Sequence, residues 1–564
     1  MSQSPRPSNT AKPGRRRTGC LVCRSRRVKC DETRPACERC SRYGAECKYP
    51  AIKAFDQDEV AAALARRHSK ETKNKRPGFV PATPPPPGPS SFEARVNAGA
   101  GPSRIIAAER GHTGDHAEEP LDLLLAVGRN TRMGEYYLDC TAPPDFLKLA
   151  FPSEDDLRCI HHCITYSLSI WVVDENNANP WVEHVAPIFL FPTPEAPISV
   201  AALRSAMLAL GATHLSYLQK RSQSVEWERT RALASRYFDD ALRACRTGRS
   251  IPEELASDTF LTAGIALLTV CIFAGDRGWK EVWRYTLAAI NYRGGCAVIL
   301  GLGREPDSTK RTPLLRCVIE HFALMDVWAA MTTGTSPIIL NSDSEWWERL
   351  GHIDDATGTA QTFEARFGMD RHLVRCFATV ADCIHQRIRL QERTGSWLGA
   401  SLGSHSASER RDLELRTRSV SSELEDWYME TSLIDKESRT RIGSMTLWHA
   451  CRILVHHDIE QASSTDEAVR ADASAIIDLC MESGDKVECL NWPLLIASSV
   501  MRDAGDRDRV RQLLKIFAYQ CCYEIEILSC TVEAMWVRLD QGRDGEATSW
   551  REVTVEIGWP VLIG

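Results

Sequence analysis

Six cysteines fall between residues 20 and 47: Cys20, Cys23, Cys30, Cys37, Cys40 and Cys47, spaced C-x2-C-x6-C-x6-C-x2-C-x6-C. Thiolates are soft donors that suit zinc, and a C-x2-C pair within one helical turn points both sulfurs at a single ion. The half-pattern C-x2-C-x6-C occurs twice, which implies a pseudo-twofold unit. One tetrahedral zinc would use four sulfurs and leave two idle. Two zincs need eight ligand positions, which six sulfurs supply only when two of them bridge. The repeat places the bridges on the equivalent Cys20 and Cys37.

Cations fill the space between the ligands. RSRRVK, Arg24 to Lys29, separates the second and third cysteines and is expected on a short helix. Tying that helix to metal fixes the direction of its side chains. A braced helix carrying Arg24, Arg26, Arg27 and Lys29 fits the DNA major groove, where Arg and Lys read guanine O6 and N7. Arg39 and Arg42 follow the second C-x2-C step, and Arg15, Arg16 and Arg17 extend the basic surface upstream. The competing reading is a zinc clip that merely staples an interaction module, or a metal or redox sensor without base readout. It leaves the cations unexplained. A disulfide knot fits poorly with the reducing compartment expected here, and thirty residues with few apolar side chains do not fold without metal.

The rest of the chain sets the context. Its 564 residues exceed one ordinary core, so two or more domains are expected. Residues 1–80 hold 20 Lys+Arg against 8 Asp+Glu, a balance of +12, and the remainder holds 49 against 67, a balance of −18. A basic head on an acidic body points to an anionic partner, with double-stranded DNA first. No membrane partner is expected: there is no basic amphipathic helix or lipidation signal, and no apolar run reaches roughly 18 residues. The opening MSQSPRPSNTAKPGRRR has no apolar core, so no secretory cleavage is expected. The other fifteen of the 21 cysteines are scattered through apolar segments and are expected as buried small hydrophobes.

The cysteine segment, over about residues 18–50, resembles the fungal binuclear zinc cluster family of transcription factors. The resemblance covers the six cysteines, the basic residues Arg24, Arg26, Arg27 and Lys29, and Pro35 in the joining loop. It implies two zinc ions, one on Cys20, Cys23, Cys30 and Cys37, the other on Cys37, Cys40, Cys47 and the bridging Cys20. It further implies a nuclear, sequence-specific regulator of RNA polymerase II genes that reads a CGG-type triplet. Arg27 would be the base contact and Arg26 its neighbour. Arg24, Lys29, Arg39 and Arg42 would contact phosphates.

The expected organisation is mainly α. A basic disordered arm (1–17) precedes the zinc cluster (18–50), a Pro-rich flexible linker (51–120) and a large all-helical regulatory domain (121–564). In the linker, Val60 and Leu64 begin an apolar stripe too short for a coiled coil, and FVPATPPPPGPSS should be extended. The basic clusters at 15–17 and 66–76 suit nuclear import. Beyond residue 121, helical periodicity recurs over 200–218, 235–246, 258–275, 279–302, 314–332, 370–391, 409–427, 443–457, 466–483 and 507–538, with no fixed-period repeat. These segments should pack as antiparallel pairs into a compact or solenoid-like domain.

The ALALGATHL helix, the Trp279–Trp283…Gly294–Gly295 segment and FALMDVWAAMTTGTSP, in that order, are similar to the fungus-specific transcription factor domain. That resemblance implies a regulatory body that dimerises, holds the protein inactive or receives an effector. A homodimer or partner factor is expected, since one triplet cannot specify a genomic site. Contacts to the transcription machinery would lie on acidic, aromatic stretches such as 422–435 or 115–125. No catalytic constellation is found, and the Cys159–Cys163 pair reads as core. A small-molecule effector has room between helices, but no convergent polar set marks a site in the sequence. Two zinc ions per chain are expected by elemental analysis of the purified protein. A ratio of one would overturn the bridging arrangement.

Overall fold

In a computed structural model of the chain, residues 22, 23, 26, 37–44, 47 and 143–556 are described, apart from 144, 174–178, 191, 193, 194, 277, 304–307, 342, 343, 358–361, 395–403, 432–438, 485, 519–521 and 543–549. The expected arm, linker and import clusters, and the stretch 115–125, lie outside these residues. The chain divides into two units, 1–94 and 95–564. The described residues are helical, with no strand among them.

The first unit contains α1 (Glu38–Tyr43). The second runs α2 (Asp145–Ala150), α3 (Glu154–His162), α4 (Ala186–Leu190), α5 (Ile198–Arg221), α6 (Trp227–Gly248), α7 (Pro252–Leu255), α8 (Asp258–Ala274), α9 (Trp279–Tyr292) and α10 (Cys296–Ile299). It continues through α11 (Pro313–Thr333), α12 (Glu345–Thr357), α13 (Phe363–Phe367), α14 (Arg371–Thr394), α15 (Ser404–Thr431), α16 (Arg439–Ile453), α17 (Glu467–Glu482), α18 (Asn491–Ser499), α19 (Ala504–Phe517), α20 (Glu524–Asp540) and α21 (Trp550–Glu556). Three π-helical turns, Cys163–Ser167, Trp181–Val185 and Leu454–Ile459, interrupt the α geometry.

Sequence explains which helices lie deepest. In α8 every residue from Phe260 to Phe273 is buried, because the helix is apolar on all sides. Ser257 caps its start by accepting from the Phe260 N–H at 3.1 Å. Helix α5 is also long and apolar enough to cross a bilayer by length and composition, with a mean hydropathy of 1.4 over its best window. That window is 67% buried within the helical unit, which marks a core helix. Gly211 lets α5 approach α3 closely: a Cβ there would lie 2.0 Å from the Cys159 carbonyl oxygen. By contrast α6 is amphipathic, burying Leu233, Tyr237, Leu242 and Cys245 while its charged face stays outside.

The buried residues from Leu147 to Val553 form one continuous cluster. Late elements return to early ones. The Tyr523 N–H donates to the Phe273 carbonyl at 2.8 Å, Ser216 and Tyr523 hydroxyls meet at 3.2 Å, and Trp550 Nε1 donates to the Met331 carbonyl at 3.4 Å. A solenoid, whose units contact only their neighbours, has no such closure. The compact alternative is therefore the one found. The expected segment 279–302 breaks at Gly294 and Gly295, whose φ values of 87° and 91° end α9, and 507–538 divides into α19 and α20.

Two buried carboxylates organise the middle of the body. Asp326 of α11 accepts from the backbone N–H groups of Ile338 and Ile339 at 2.7 and 2.8 Å and from Trp283 Nε1 at 3.2 Å. Burial raises its pKa to about 6 against these donors. Glu320, fully buried one and a half turns earlier, pairs with Arg366, with Arg371 at 2.5 Å and with Arg316 at 3.2 Å. Arg316 pairs in turn with Asp354 of α12. Trp347 Nε1 donates to the Arg371 carbonyl at 3.0 Å, which ties α12 to the start of α14. Glu320→Ala would leave two buried guanidiniums without their main counter-charge. It is expected to cost about 3–5 kcal/mol in chemical denaturation of the full chain.

Candidate metal centre and nucleic-acid interface

The cysteine module is built around α1. Cys37 precedes it in an extended conformation and caps it, its Sγ accepting from the Cys40 N–H at 3.4 Å. The C-x2-C step thus brings Cys37 and Cys40 to the same end of one short helix. Gly44, at φ 64°, ends the helix in the left-handed region, with its N–H turned back to the Cys40 and Ser41 carbonyls. That reversal brings in Cys47, whose Sγ accepts from the Cys37 N–H at 3.3 Å.

Cys23 reaches the same point from the other half. Its Sγ lies 3.6 Å from that of Cys37, and the Cys23, Cys37 and Cys40 sulfurs all lie within 4.8 Å of one another. All three residues are buried, and among the described residues Val22 and Cys47 pack against them. The separation of 3.6 Å far exceeds an S–S bond of roughly 2.05 Å, so Cys23 and Cys37 are not joined by a disulfide. Two thiolates on one tetrahedral zinc, each about 2.3 Å from it, stand roughly 3.8 Å apart. The donor set and its spacing therefore fit zinc, and so small an apolar cluster needs metal to hold it. Cys20 and Cys30 lie outside the described residues.

Of the expected DNA contacts, Arg26 is exposed and lies one helical turn from Val22, with its N–H donating to the Val22 carbonyl at 3.1 Å. Arg42 is exposed in the last turn of α1, and Arg39 belongs to the same helix. Arg15, Arg16, Arg17, Arg24, Arg27 and Lys29 lie outside the described residues. Sequence reasoning missed the capping roles of Cys37 and Gly44. The signal was present in Cys37-Glu38-Arg39-Cys40, a polar cap before a charged turn, with a glycine just past it.

The helical body treats its thiols differently. Cys159 and Cys163 are buried against α5, and burial pushes the Cys159 thiol up to about 12 and the Cys163 thiol up as well. Desolvation lowers His161 to about 4 and His214 to about 3. His162 Nε2 and Ser167 Oγ both sit against His214 Nδ1, at 3.3 and 3.1 Å. These are neutral core groups, as expected for the Cys159–Cys163 helix, and His161 Nε2 and His214 Nε2 are buried without a hydrogen-bond partner among the described residues. The scattered cysteines are likewise buried among the described residues, except half-buried Cys489 and exposed Cys530. A second grouping, His372, Cys376 and Glu423, is occupied by Arg375, which donates to Glu423 at 2.8 Å.

A family model described as the fungal specific transcription factor domain matches residues 159–564, nearly the whole described body. The chain belongs to this family. A second model, the fungal Zn(2)-Cys(6) binuclear cluster domain, matches residues 18–54, and a domain of that kind binds two zinc ions. The family is one of DNA-binding transcription regulators. Transcription factor lfc1 of Flammulina velutipes is 46% identical over 50 residues, covering 9% of this chain and 16% of lfc1. Transcriptional regulatory protein moc3 of Schizosaccharomyces pombe is 52% identical over 50 residues, covering 8% and 10%. The Zn(2)-C6 fungal-type transcription factor afumD of Aspergillus fumigatus is 64% identical over 33 residues, covering 6% and 9%. Similarity to these relatives thus spans a small part of either chain. No solved structure matches.

Because the cysteine module has so little apolar burial, metal removal should act on it alone. A strong zinc chelator is expected to abolish DNA binding by the full chain while leaving the main helical melting transition, followed by circular dichroism, in place.

Proposed function

We propose that this family member is a nuclear, sequence-specific regulator of RNA polymerase II genes whose head reads a CGG-type triplet. The observation that carries the reading is the buried cluster of Cys23, Cys37 and Cys40 sulfurs, within 4.8 Å of one another, beside exposed Arg26 and Arg42. A metal-braced surface bearing cations suits the phosphate backbone and the major-groove edge of guanine. In this reading Cys20, Cys23, Cys30, Cys37, Cys40 and Cys47 hold two zincs, with Cys20 and Cys37 shared. Arg27 reads the triplet beside Arg26, and Arg24, Lys29, Arg39, Arg42 and Arg15 to Arg17 contact phosphates.

The cluster occupies about 18–50, the linker 51–120, and the regulatory body the remainder. We assign the body no catalytic step. A second copy or a partner factor supplies the second half-site, because one triplet is too short to select a genomic address. The similarity to lfc1, moc3 and afumD, which are named as transcription factors or regulators, supports the same direction.

Arg27→Ala separates base readout from stapling. The variant should retain two zincs and still bind DNA, yet lose about 1–3 kcal/mol of preference for a CGG-containing duplex over a scrambled one. Unchanged discrimination in a competition binding assay would overturn direct readout by Arg27. Lys29→Ala should instead weaken binding to every duplex alike and flatten the salt dependence.

A further inference from the structure

The helical body contains a cavity of about 70 Å³ among the 3₁₀ turn Leu168–Trp171 and helices α8, α11, α13 and α20. A buried water needs roughly 10–15 Å³ on this measure, so the space suits a molecule of about five heavy atoms. Its walls carry the aromatic side chains of Trp171, Phe273, Trp328 and Phe367. On α11, His321, Met325 and Trp328 recur at helical spacing and present one face to it.

Three polar atoms on this wall are buried and without a hydrogen-bond partner: Trp171 Nε1, His321 Nδ1 and Glu524 Oε2. An unsatisfied buried donor or acceptor costs about 1–3 kcal/mol, so three around one space ask for an occupant. Glu524 is only 3% exposed, and its other carboxyl oxygen accepts from the Cys522 N–H at 3.0 Å. The His321 ring is fixed edge-on by Trp171, Trp181 and Phe367, with centroids 5.7, 5.6 and 5.2 Å away.

The charge of the wall selects the sign of the occupant. Glu524 faces no counter-charge, whereas Glu488, also on the wall, interacts electrostatically with the buried Arg439; no arginine or lysine is among the described lining residues. We infer that this cavity is a binding site for a small protonated amine, held by Glu524 and His321 against the aromatic walls, with an oxygen of the ligand accepting from Trp171 Nε1. Aromatic faces attract cations, and a desolvated carboxylate attracts them more strongly. The site is independent of the DNA-reading head, so the two readings fail separately.

Proton accounting gives the test a distinctive signature. Burial without a counter-charge raises the Glu524 carboxyl to about 8, so it is mostly protonated at pH 7. A cation beside it favours the carboxylate and expels the proton. His321, lowered to about 3 by burial, stays neutral throughout and serves as an acceptor. Cys489, another lining residue, is pushed up to about 12 by burial and also stays neutral.

The experiment uses the zinc-loaded full chain at pH 7, titrated calorimetrically with ethanolammonium, ethylene glycol and glycolate in two buffers of different ionisation enthalpy. Ethanolammonium should bind saturably with release of close to one proton, and the other two should bind at least tenfold more weakly. Glu524→Gln keeps an oxygen for the Cys522 N–H and should weaken ethanolammonium at least tenfold, with its circular dichroism melt retained. Should that variant not fold, the proton count on the unaltered chain decides. Equal affinity for ethylene glycol, no proton release, or no saturable binding of ethanolammonium would each overturn the assignment.

Discussion

The middle of the body depends on keeping one negative charge, that of Glu320, out of water. An ionised carboxylate in such a place is tolerated only when opposite charge surrounds it closely. Arg316, Arg366 and Arg371 supply that charge, and each comes from a different element: α11 itself, α13 and the first residue of α14. Asp354 then draws α12 into the same group through Arg316 and, at 3.6 Å, through Arg371. Burial lowers both Arg366 and Arg371 to about 10, because they too have been taken from water. Hydrophobic burial is non-directional and could hold these helices in many arrangements. The shared carboxylate leaves very few of them electrostatically tolerable.

The cysteine module solves the opposite problem. Apart from its cysteines its sequence carries few apolar side chains, such as Leu21, Val22 and Val28, too little to offset chain entropy. Four directional bonds per metal take the place of a core, and the surface is left for cations. Stability and partner chemistry are therefore assigned to separate units. The body's apolar helices fold by burial, while the head's shape is set by metal coordination.

Much of this division was legible in the residues. Cysteine spacing is a local pattern, and Cys23, Cys37, Cys40 and Cys47 lie close to one another. Helices α8 and α11 were equally plain, because long apolar stretches with Ser257 and Thr312 caps have no competing structure. The break between α9 and α10 was written as Gly294-Gly295 but lost within a continuous apolar period. Glu320 with Arg366 and Arg371 was hidden because their separation in sequence is about fifty residues and a charged residue on a helix, Arg316 included, is normally read as exposed. The cavity was hidden for the same reason: Trp171, His321 and Glu524 share no local pattern. Only the closure of the fold brings them to one wall.

That closure has a bearing on inheritance. With Tyr523 bonded back to Phe273 and Ser216, and Trp550 to Met331, the late helices are fastened to the early and central ones. A repeat protein gains or loses units at its ends and remains folded. Here the first and last thirds complete each other's interior, so recombination that swaps a fragment exposes apolar faces on both sides of the join. An exchange that respects the fold therefore has to move the body whole.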